Sequence, residues 1–114
     1  MVEQLKREAE LCAYCDFQPK YLKLLDGLRT ACAQSGRRLV LVFSPVHPAL
    51  HQSYAELYRQ LEQKISQGVF GPASNIVDTT HLLESTDFVD SQHPTDEGAE
   101  KFSRFLAQRI GPIP

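Results

Sequence analysis

Residues 38–43 read RLVLVF, and this short run decides the fold. From Leu39 to Phe43 every residue is apolar, with Gly36 and two arginines before the run and Ser44-Pro45 after it. A half-exposed strand alternates polar with apolar positions. An unbroken apolar run of this length instead predicts a strand covered on both faces, as in a parallel sheet. Upstream, Tyr21, Leu24, Leu25, Leu28 and Cys32 recur at helical spacing. Pro19 suits the first turn of that helix, and Gly36 suits the left-handed position just past its end. Downstream, Ser44–Gln52 reads as a loop, and Tyr54, Leu57, Tyr58, Leu61 and Ile65 make the stripe of a further helix that Gly68 ends. Asn75–Thr80, NIVDTT, reads as a second short strand. A turn of helix is expected around His81–Leu83, with His81 a loop residue. A last helix is expected from near Thr95 to Ile110, with Ala99, Phe102, Phe105, Leu106 and Ile110 facing inward. Residues 2–13 also read as helical. Strands alternating with helices predict an α/β fold with a parallel sheet and right-handed crossovers. Two strands make a small sheet, so completion by another segment or by a second copy of the chain is expected.

The 114 residues fit a single domain. Apolar residues make up 42% and charged residues 23% of the chain, the proportions of a globular protein, and the formal net charge is −2. No basic stripe is present, which argues against nucleic acid as a partner. No apolar run approaches the ~18 residues of a membrane span. The opening MVEQLKREAE lacks the apolar core of a signal peptide.

Cys12 and Cys15 form a C-x-x-C, and Cys32 completes the three cysteines. Zinc would need two further ligands at suitable spacing, and no second C-x-x-C or H-x₃-H follows. The expectation is therefore no metal and no cofactor, with the cysteines as small apolar residues and Cys32 in the core.

The chemistry-bearing stretch is Val89–Phe102, VDSQHPTDEGAEKF. Asp90 stands three residues before His93 on a loop between strand and helix. A carboxylate on one ring nitrogen fixes the tautomer of an imidazole and frees the other nitrogen as a general base. The competing reading is a capped helix start. In that reading Thr95 is the N-cap, Asp96 and Glu97 favour the helix dipole, and Gly98 permits close packing. His47 and His51, in SPVHPALHQ, are candidates to line the same pocket as His93. Ser44, Pro45 and His47 are the expected pocket wall.

FVDSQHPTDEGAEKFSRFLAQRI resembles the C-terminal block of the SGNH (GDSL-type) hydrolase and acyltransferase superfamily, with Asp90, His93, Gly98, Ala99 and Phe102 at the matching places. RRLVLVFSPVHPALHQSY and the helix before it are similar to the elements preceding that block in the branch of D-alanyl transfer and alginate acetylation proteins. The resemblance covers most of residues 19–110 by order of elements. It implies a partial three-layer, flavodoxin-like sheet flanked by helices, with residues 1–114 the C-terminal portion of a larger SGNH-like domain. It also implies a Ser–His–Asp site in which His93 is the base and Asp90 orients it, acting on an acylated polymer or lipid outside the cytoplasm. The family's Gly-Asp-Ser block is absent from this sequence, and the only asparagine, Asn75, opens a predicted strand. Ser44 ends a strand, but Pro45 follows it and the glycines of a nucleophile elbow are missing. The expectation is half a triad, inert or nearly so by itself. The alternative is a non-catalytic binding or assembly module, in which a homodimer forms through the exposed sheet edge.

Overall fold

The computed structural model describes residues 19–111. Helix α1 spans Pro19–Gln34, strand β1 Leu41–Phe43, α2 Pro48–Ser53, α3 Ala55–Ser66, β2 Ile76–Asp78 and α4 Asp96–Ile110. Single 3₁₀ turns occupy Ala73–Asn75 and Ser85–Asp87. The expected helix over 2–13 and the Cys12–Cys15 pair lie outside the described residues.

The strands pair in parallel, Leu41 with Ile76, Val42 with Val77 and Phe43 with Asp78, so the α/β class stands. Both strands are shorter than the apolar runs predict. Pairing nevertheless continues past the strand ends. Phe43 O accepts the Thr79 amide at 2.9 Å, and Thr80 O accepts the Val46 amide at 3.0 Å. Pro45, between them, has no amide to give, which ends regular pairing there. Asn75 belongs to the turn before β2, where Arg38 donates to its Oδ1 at 3.0 Å and to Ser74 O at 2.8 Å.

Gly36, at φ 71°, closes α1, with the Arg37 amide reaching back to Cys32 O at 2.7 Å. The segment read as a loop after Ser44 contains α2. Its N-cap is His47, whose Nδ1 accepts the Ala49 amide at 3.0 Å, with Pro48 in the first turn. The helical turn expected at His81–Leu83 instead forms at Ser85–Asp87.

The core centres on β2. Phe70, Ile76, Val77 and Leu83 are the buried apolar residues among those described, and the polar Thr79, Thr80, Asp87 and Ser91 are buried with them. Val42 in β1 is exposed, as are Tyr21, Leu24 and Leu28 on α1. The expected coverage of β1 on both faces is therefore not met among the described residues, which leave Val42 exposed. Cys32 is half-buried. On α4, Phe102, Phe105 and Leu106 are half-buried, but Ala99 and Ile110 are exposed, and the buried position is Gly98. A Cβ at Gly98 would collide with the carbonyl oxygen of Asp87 and stand 3.1 Å from its Cβ.

Asp87 fastens α4 to the rest. Its side chain is 7% exposed and accepts from Lys101 Nζ at 2.9 Å and from the Glu84 amide at 3.0 Å. Its carbonyl accepts the Thr95 amide at 2.8 Å and the Thr95 hydroxyl at 3.2 Å. Thr95 Oγ1 in turn caps α4 by accepting the Gly98 amide at 3.0 Å. The Lys101 ammonium, then the Glu84 amide, holds the Asp87 carboxyl below its ordinary range, and Asp87 holds Lys101 above its own.

Gly98→Ala is expected to destabilise the protein by at least about 1–3 kcal/mol, because a backbone carbonyl cannot step aside as a side chain can. A denaturant titration of both proteins measures this. Asp87 has a depressed folded pKa, so its stabilisation is complete above the unfolded value near ~3.9 and is lost as pH falls through the folded one. Thermal melts between pH 7 and pH 3 should show a steep loss for the wild type. For Asp87→Asn they should show a lower but flatter profile, and parallel profiles would exclude the assignment.

Candidate functional site

The loop Phe88–Pro94 leaves the turn at Asp87 and returns to α4. It is closed at its base by the antiparallel bridge of Phe88 with Pro94 and by the Val89 amide, which donates to His93 O at 2.7 Å. Inside this closure, Asp90 Oδ1 accepts the amides of Gln92 and His93, each at 2.8 Å. An aspartate that accepts amides two and three residues onward is a common way to fold such a turn. The turn brings the ring of His93 against the same carboxylate, with Nδ1 2.9 Å from both Oδ1 and Oδ2.

The electrostatics follow from that arrangement. The carboxyl of Asp90 is held below its ordinary range, first by the Gln92 amide and then by the His93 ring and amide. An ionised carboxylate only accepts, so in the neutral imidazole Nδ1 carries the proton and Nε2 keeps its lone pair. His93 is 70% exposed in its side chain and Asp90 38%. Nε2 makes no hydrogen bond to any described residue. The pair can therefore accept a proton from a group brought to it from outside. Because water reaches the pair, its attraction is screened and adds little to stability.

Beside the loop lies a cavity of about 230 Å³, walled by Ser44, Pro45, Leu83, Phe88, Gln92, Pro94 and Phe102. The wall joins the exit of β1, the exit of β2, the dyad loop and α4. Loops beyond the carboxyl ends of parallel strands are where α/β proteins gather their sites. Ser44 and Pro45 belong to this wall. His47 does not: it is buried, caps α2, and packs its ring 5.2 Å from that of Phe88. His51 is also absent from the wall. One turn further along α2, its ring stacks on Tyr58 at 4.7 Å. Capping and stacking thus engage both rings outside the cavity wall. Asp90 and His93 stand on the loop that borders the cavity, while Gln92 and Pro94 on either side of His93 supply its wall. Ser91 is buried.

Gln92 and Asp87 were not singled out by sequence reasoning. The spacing Glu84-Ser-Thr-Asp87 before a chain reversal is a signal that could have found Asp87, since an acid three residues after a turn's first residue can reach back to that residue's amide. Among the described residues, no helix is long and apolar enough to cross a membrane. Comparison with family models, with curated proteins and with solved structures finds no match.

Proposed function

We propose that this chain contributes the His–Asp half of a Ser–His–Asp site for cleaving or transferring an ester-linked acyl group. In this reading His93 is the general base and Asp90 the residue that fixes its tautomer, and the site belongs to the SGNH type. The single observation that carries it is the carboxylate of Asp90 against Nδ1 of His93 at 2.9 Å, on an exposed ring of the loop that borders the cavity of Ser44 and Gln92. Nε2 would take the proton of an attacking hydroxyl and return it to the leaving oxygen, while Asp90 stabilises the imidazolium formed between the two steps. The cavity would hold the acyl chain against Leu83, Phe88 and Phe102. The nucleophilic serine and its oxyanion donors would come from a segment outside these residues. Asn75, which the family pattern would enlist as an oxyanion donor, lies in the turn before β2, where its Oδ1 accepts from Arg38.

p-Nitrophenyl acetate with the 114-residue chain tests this reading. The expected result is slow ester cleavage without a burst and without an acyl-serine by mass spectrometry. Ser44→Ala should leave the rate unchanged. His93→Ala and Asp90→Asn should remove a common share of it, the second because an amide can stabilise the wrong tautomer. A His93→Ala rate equal to wild type would remove His93 from the chemistry. A burst abolished by Ser44→Ala would replace the half-site with a complete esterase.

A second reading has its own observation. Val42 is 37% exposed within β1, and on α1 Tyr21 is 57%, Leu24 68% and Leu28 52% exposed. Apolar groups on a strand and a neighbouring helix suit an assembly module whose sheet is extended by another copy. Sedimentation velocity at increasing concentration should then show a dimer that Val42→Lys dissociates. A monomer throughout the range would leave the half-site reading alone.

A further inference from the structure

Away from the dyad, three elements bring metal-ligating side chains together. His51 comes from α2, Glu62 from α3 and His81 from the exit of β2. A ring nitrogen of His51, a carboxylate oxygen of Glu62 and a ring nitrogen of His81 all lie within 4.8 Å of one another. His81 Nε2 is 3.4 Å from Glu62 Oε1. The rings of His51 and His81 meet edge to face, with centroids 4.4 Å apart. Tyr58 stacks on His51 at an interplanar angle of 17° and fixes its plane.

A second observation is independent of this clustering. His51 Nε2 is buried and has no hydrogen-bond partner among the described residues. A buried ring nitrogen without a partner forfeits its solvation and recovers nothing. A cation bound by its lone pair supplies the missing partner. Glu62 and His81 are the groups beside it, and both are more than half exposed in their side chains, so they can adjust toward an ion without disturbing the core.

We infer that His51, Glu62 and His81 form a binding site for a divalent zinc-type ion. Two imidazoles and one carboxylate are a ligand set that suits zinc, with the fourth position left to water. Zn–N and Zn–O bonds of about 2.0–2.2 Å place tetrahedral ligand atoms about 3.4 Å apart. The His81–Glu62 separation of 3.4 Å already has that value. The remaining separations are no more than 4.8 Å, and two of the three side chains are exposed. An imidazole pair disfavours Mg²⁺ and Ca²⁺, which take oxygen ligands. The ion would act as a clamp. It would fasten α2 and α3, which adjoin at Tyr54, to the chain leaving β2.

The test uses the full chain with Zn²⁺ alone, followed by calorimetry and thermal melting, and with Co²⁺ as a spectroscopic probe. Zn²⁺ should bind one to one and raise Tm by several degrees once it is in large excess over Kd. Mg²⁺ should do neither. Co²⁺ should give the visible bands of a four-coordinate site without thiolate charge transfer. His81→Ala and Glu62→Gln, both at exposed positions, should each weaken Zn²⁺ binding by tenfold or more while the far-ultraviolet circular dichroism stays unchanged. The double variant Cys12→Ser, Cys15→Ser should bind as the wild type does. The site is overturned if Zn²⁺ fails to bind at micromolar concentration, if His81→Ala and Glu62→Gln bind undiminished, or if binding follows the cysteines.

Discussion

The structure around the dyad depends on one buried carboxylate. Asp87 accepts from Lys101 on α4 and from the Glu84 amide on its own turn, and its carbonyl takes both polar groups of Thr95. Remove those contacts, and only the Phe88–Pro94 bridge and the Val89 amide on His93 O tie the start of α4 to the end of the preceding turn. The loop Phe88–Pro94 spans the gap between the two, so its closure is set by how near they are held. Gly98 states the same constraint sterically, since no side chain fits between α4 and the carbonyl it rests on. The closeness of Asp90 to His93 is thus decided one layer beneath them.

Asp90 itself does two things with one side chain. It terminates the loop internally, by accepting two backbone amides, and it orients a ring. The amide of Gln92 stands first among the causes of its lowered pKa, ahead of the ring. Those backbone contacts bear on the proposed chemistry. A carboxylate already fixed by the backbone needs no reorganisation when a positive charge develops on the imidazole, and such preorganisation makes fixed dipoles and charges effective in catalysis.

Local rules made part of this legible in the sequence. Gly36 ends α1, Thr95 begins α4, and both strands lie within their apolar runs, because each signal acts over a few residues. Strand length was not legible. An apolar run records what a segment would bury, whereas pairing depends on a partner strand, and β1 has one only at Leu41–Phe43. The same distinction explains α1, whose stripe announces a face to be covered without saying by what. His47 and His51 misled for another reason. Their neighbourhood in the chain suggested a shared pocket with His93, but His47 caps α2 and packs behind the cavity wall on Phe88, and His51 stacks on Tyr58 of α3. The grouping of His51, Glu62 and His81 crosses three elements, and no fixed spacing encodes it.

The two histidine sites use the imidazole in opposite senses, and burial makes the difference. At His93 one ring nitrogen rests against a carboxylate, on a ring that is 70% exposed. At His51 the bare nitrogen is the buried one. Glu62 lies near it, with its own side chain largely in solvent. A cation held by both imidazoles and by Glu62 would give that nitrogen a partner, with its charge partly neutralised by the carboxylate. In the two proposed roles, exposure opens His93 to a reacting group, and enclosure suits His51 to holding an ion.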